Sequence, residues 1–179
     1  MKRRALGYMM LAFWGALLSA GLAAAMGLGA RGVFLPDPVL CLVVLIAARL
    51  HRDVIVSAAF VLALARIAYT IDPPPAIFAM YMGTALAIRA LRAGVDVNGP
   101  LVRGWFCFVF VWIDGMWLTL VRAQRQVFAA NALPDAAILG EALGYTLPRA
   151  LASGLLGIVL GALLVRLPGL SAIDRRQVF

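Results

Sequence analysis

The stretch "VLALARIAYTIDPPPAIFAMYMGTALAIRAL", residues 61–91, decides how this chain is read. Two apolar runs meet at "DPPP", residues 72–75, a turn that no helix runs through, because proline lacks the N–H and restricts the residue before it. Neither run has the broad polar face that a helix on the surface of a water-soluble domain keeps. One residue interrupts the first run. Arg66 carries a guanidinium that stays protonated at any accessible pH. A charge at mid-membrane costs about 2.5–3.5 kcal/mol on insertion scales, so a partner is expected.

The rest of the chain has the same character. Of 179 residues, 64% are hydrophobic and 13% charged, with a mean hydropathy of +0.98. Soluble domains average roughly 45–50% apolar and 25% charged residues. This composition predicts an all-α, polytopic integral membrane protein, its core made by helix packing in lipid. The formal net charge is +8, but the basic residues lie at the ends of apolar segments. That is a topology signal, with membrane lipids as surroundings and no nucleic-acid partner.

A spanning helix takes roughly 20 residues at 1.5 Å each. Six segments approach this length, about 5–29, 36–50, 54–71, 75–91, 104–121 and 147–166, forming one transmembrane domain. The second and fourth are short enough to lie in thinned bilayer or to be re-entrant. The basic start and apolar run resemble a secretory signal, but Ala5 to Gly29 exceeds a typical h-region of ~7–15 residues, so an uncleaved first span is expected. Between the last two spans, Pro134 and Asp135 read as the start of a short interfacial helix. In "LPDPVL", Asp37 can cap a helix whose first residue is Pro38.

Orientation follows from the Lys/Arg distribution. One side holds Lys2, Arg3, Arg4, Arg49, Arg52, Arg89, Arg92, Arg103, Arg166, Arg175 and Arg176; the other holds Arg31, Arg122, Arg125 and Arg149. The positive-inside rule places both termini in the cytoplasm.

A second charge, Asp114, lies in "VFVWIDGMWLTL". Counting rise from the inner ends, Arg66 lies about 20 Å deep and Asp114 about 16 Å, so a pair is geometrically allowed. Three readings stand: a polar or partner-facing site, an internal ion pair fixing helix register, or Arg66 snorkelling toward Asp72. Cys41 is expected near the outer face and Cys107 near the inner one, too far apart to pair. The aromatics Trp105, Phe106, Phe108, Phe110, Trp112 and Trp117 read as packing or lipid-facing groups, with a ligand cavity as the alternative. Ser153, Gly157 and Gly161 recur every four residues, a small-residue stripe for close helix approach within the bundle or to a partner. No Walker, GxSxG or HExxH pattern occurs. No enzyme activity, metal or cofactor is expected.

Residues 35–91 carry a resemblance. Pro36-Asp37 opening a span, the basic turn at His51-Arg52, the span from Phe60 to Tyr69 and the turn from Asp72 to Pro75 resemble the rod shape-determining protein MreD family. The later "FVWIDGMW" is similar to that family's acidic penultimate-type span. One departure is plain: where the family has glycines and an acidic residue near the end of span three, this chain has Ala63, Ala65 and Arg66. The resemblance implies a non-catalytic scaffold of the bacterial inner membrane, within the cell-elongation machinery. Its implied partners are MreC, MreB, and RodA with its transpeptidase. Similarity of such folds to substrate-binding components of energy-coupling-factor transporters supplies one alternative. Candidate ligand-facing residues there are Asp37, Asp72, Asp114 and Thr119. An accessory subunit of another large membrane complex is the other.

Overall fold

The computed structural model describes residues 2–27, 35–50, 52–96, 99–130 and 136–163. These form six helices and, among the described residues, no strand: α1 (Lys2–Gly27), α2 (Pro38–Arg49), α3 (Arg52–Ile67), α4 (Pro74–Leu91), α5 (Pro100–Ala130) and α6 (Ala136–Leu163). Four of them, α1, α4, α5 and α6, are long and apolar enough to cross a membrane. The all-α bundle expected from composition is what the chain forms. Arg31, His51, Pro134, Asp135, Arg166, Arg175 and Arg176 lie outside the described residues.

The expected element order holds, but two boundaries move. The segment starting at Ala136 is not a separate interfacial helix; it runs straight into the last helix, which reaches Leu163 with Pro148 inside it. A proline within a helix removes one backbone bond and strains the preceding turn, and neighbouring helices make this tolerable in an apolar bundle. Here α5, whose 31 residues extend well past the expected end at 121, supplies that neighbour, with Thr146, two residues before the proline, packed on Gly115.

The centre of the bundle is α2. Every residue from Val39 to Ala48 is buried, at most 3% exposed. All five other helices pack on it. A helix apolar on every side belongs in an interior, and "PVLCLVVLIAAR" has no polar stripe. Asp37 starts it: its carboxylate accepts from the N–H groups of Val39 at 3.2 Å and Leu40 at 3.1 Å, and Pro38 occupies the first helical position. At its other end Arg92 of α4 donates to the carbonyls of Ala47 (3.0 Å) and Leu50 (2.6 Å). The helix has 12 residues, about 18 Å, against a hydrocarbon core of about 30 Å.

Around α2, α5 and α6 form the tightest pair, antiparallel, with small residues at the contact. A methyl group on Gly157 would lie 2.5 Å from Cys107 Sγ, and one on Gly154 would lie 3.2 Å from the Gly104 carbonyl oxygen. Gly115 meets Thr146 in the same way. The opposite side is built by the α3–α4 pair and by α1 against α3. Leu6, Met9, Phe13 and Leu17 on α1 face outward, as do Leu151, Leu155 and Val159 on α6. Each set repeats every three or four residues, so it forms a continuous apolar stripe, suited to lipid.

Candidate functional site

The charges within the bundle converge on Asp37. This residue is a helix cap by sequence pattern, and the cap geometry is as expected. Its position is not at an outer surface. Because α2 is short, its first turn begins part-way through the bundle, between α3 and α6. Asp37 Oδ2 accepts from Arg149 Nη2 at 2.6 Å and from Arg66 Nη2 at 3.4 Å, while Oδ1 caps the helix. The Asp37 backbone N–H donates to Ser153 Oγ at 2.9 Å, and that hydroxyl donates to the Arg149 carbonyl at 2.8 Å. One carboxylate thus binds three helices, with its side chain 2% exposed.

Arg66 has neither of the partners weighed from the sequence. Its contact is Asp37 rather than Asp114 or Asp72. Depth counting compared α3 and α5 as if they were neighbours, whereas α3 packs against α1, α4 and α2. Asp114 is buried at 4% exposure and forms no ion pair within 4 Å among the described residues. It still lies within electrostatic reach of Arg66, Arg149 and Asp37. Arg66 and Arg149 are answered directly by the Asp37 carboxylate, the kind of pairing that keeps buried charge out of water. Tyr81 of α4 completes the cluster, its phenol within electrostatic reach of all four charges. The Tyr81 hydroxyl and Arg149 Nε are buried with no hydrogen-bond partner among the described residues.

Asp72 belongs to a second, separate pair. Arg122 on α5 donates from Nε to Oδ1 at 2.8 Å and from Nη2 to Oδ2 at 3.0 Å, while Thr70 Oγ1 donates to Oδ2 at 2.9 Å. This fork ties the α3–α4 turn to α5. It lies about 12 Å beyond the Asp114 level, eight residues further along α5. Thr119 turns back on its own helix, donating to the Gly115 carbonyl at 2.8 Å.

The small-residue stripe is consumed within the bundle. Ser153 meets α2, Gly157 meets Cys107, and Gly161 receives the Arg103 guanidinium on its open face. The cysteines are a correction. Cys41 and Cys107 are not at opposite faces; their thiols stand against each other, both buried and free. The expectation assumed that α2 crosses the full thickness, which puts Cys41 too far out. Trp105 and Trp117 are exposed on α5, and Phe108 stacks on Trp112 at 6.4 Å between ring centroids.

The sequence reading named Asp37 as a cap and a possible polar lining, and Arg149 only as an outer-loop charge. The missed signal was the length of α2. Twelve residues running from Arg49 cannot bring Asp37 to the opposite surface. An open groove of about 510 Å³ lies elsewhere, between α1 and α3, lined by Tyr8, Ala12, Ala16, Leu64, Ala65 and Tyr69 among others. Comparison with protein-family models, with curated proteins and with solved structures gives no match to this chain.

Proposed function

We propose that this chain is a non-catalytic, multi-pass scaffold of a bacterial inner membrane, of the MreD kind, with both termini cytoplasmic, which helps assemble the peptidoglycan-elongation machinery. One observation carries the reading. Pro36-Asp37, the pair on which the resemblance begins, is where α2, α3 and α6 are tied together. The intramembrane charges join helices, as a rigid platform requires, and the apolar stripes of α1 and α6 are left for lipid or partner helices.

The test is affinity purification of the tagged chain in mild detergent, with identification of what co-purifies. MreC, or RodA with its transpeptidase, is expected in the eluate. Recovery of neither overturns the reading, and reproducible recovery of a different large complex identifies an accessory subunit of that complex instead.

A second reading is favoured by the unpartnered Tyr81 hydroxyl and Arg149 Nε, both facing the charge cluster. Such groups suit a small polar ligand in a transporter component of the energy-coupling-factor type. Mass spectrometry of the purified chain for a stoichiometric small molecule separates the two readings.

A further inference from the structure

At the end of the bundle opposite Asp37, two guanidinium groups converge on one residue. Arg49, in the last turn of α2, donates from Nη2 to the Gly161 carbonyl at 2.7 Å. Arg103, in the first turn of α5, lies across the same glycine: a methyl group there would sit 2.5 Å from its Nη1. The two cations are within electrostatic reach of each other. Arg103 is only 8% exposed, its Nε donates to the Gly99 carbonyl at a long 3.4 Å, and its buried Nη1 has no hydrogen-bond partner among the described residues. Neither arginine forms an ion pair within 4 Å among the described residues.

Like charges held together repel unless an anion lies between them, and the repulsion grows as water is excluded. The backbone ends here differ in sign: Arg49 stands at the C-terminus of α2, which suits a cation, whereas Arg103 does not have that support. Arg103 sits at the N-terminus of α5, whose first turn has no acidic residue. A helix N-terminus favours negative charge, so a cation there is misplaced unless it serves one. Two planar guanidinium forks match the oxygens of a phosphate.

We propose that Arg49 and Arg103 form a phosphate-binding site, and that its ligand is the headgroup phosphodiester of an anionic phospholipid. The ends of α2 and α5 meet α6 at Gly161, at the basic end of the bundle where headgroups of one leaflet would lie. Basic pockets between helices at that level are a recurring way of holding anionic headgroups. The site does not depend on the scaffold reading; it requires only that the helices lie in a bilayer.

Native mass spectrometry of the full chain in mild detergent tests this, with phosphatidylglycerol, phosphatidylcholine and inorganic phosphate as probes. Phosphatidylglycerol is expected to be retained at least about fivefold more tightly than phosphatidylcholine. Arg49→Gln should weaken that retention about fivefold. Arg103→Lys, which keeps the charge and loses the fork, should weaken it as well. Arg89→Gln, at the same end but on an exposed face of α4, should leave it unchanged. Displacement of the lipid by millimolar inorganic phosphate supports the site and assigns it to a free anion. Equal retention of both lipids by the unmodified chain with no effect of phosphate overturns it, however the variants fold. So does an equal loss in Arg89→Gln and Arg49→Gln.

Discussion

Asp37 does three things with one carboxylate, and its substitutions should separate them. It caps α2 through Oδ1 and holds Arg149 and Arg66 through Oδ2. Asparagine can still cap but leaves two buried cations unanswered, and breaking a buried pair costs about 3–5 kcal/mol. Alanine also loses the cap, a further ~1 kcal/mol. Thermal unfolding in detergent should therefore rank the wild type above Asp37→Asn, and Asp37→Asn above Asp37→Ala. Equal stability of the two variants would mean that the cap contributes nothing. The two arginines are unequal as well. Arg149 binds at 2.6 Å and Arg66 at 3.4 Å, so Arg149→Gln should lower the melting temperature more than Arg66→Gln. By contrast, Arg122 is 56% exposed, and losing its pair with Asp72 should cost no more than about 1 kcal/mol.

At the scale of the element, the α5–α6 pair is set by residues with no side chain to spare. Gly157→Ala would place a methyl group 2.5 Å from Cys107 Sγ. Overpacking of this kind costs about 1–3 kcal/mol. Adding Cys107→Ala should restore part of the loss, and a double-mutant cycle on the four proteins measures the coupling. Most elements were legible in the sequence. The apolar runs, "DPPP" and the Asp37-Pro38 cap predicted α1 to α4 to within a few residues at most ends. What was not legible came from tertiary packing. The 136–146 segment reads as a separate interfacial helix, and nothing in its own sequence signals that it runs unbroken through Pro148 into the last span. The partner of Arg66 was equally hidden. Rise per residue gives depth along each helix, but says nothing about which helices are neighbours.

At the scale of the whole molecule, the reading of orientation makes its own prediction. In a chain lacking Cys41 and Cys107, a single cysteine at Pro75 should react with a membrane-impermeant maleimide applied to intact cells. One at Ala93 should react only after the membrane is opened. The reverse pattern would invert the assignment of both ends and of the basic residues gathered at one of them. Composition alone carried the membrane class, because a chain with this share of apolar residues has too little polar surface to cover a soluble core. Composition does not carry the way the charges divide. They form a cluster around Asp37, a fork between the α3–α4 turn and α5, and a pair of arginines at the far end with no ion pair among the described residues.

The brevity of α2 bears on how the chain is made. A segment of 12 residues, about 18 Å, is too short to hold itself across a bilayer. When it leaves the ribosome, the helices that will surround its far side, α4 to α6, have not yet been synthesised. Until they are, Asp37 has no Arg149 and no Ser153 hydroxyl, and the carbonyls at the α2 C-terminus have no Arg92. On this geometry α2 is expected to wait at the membrane surface, or shielded by the insertion machinery, until the C-terminal half arrives. Biogenesis of this fold would then run inward, with the innermost helix among the last to take its place.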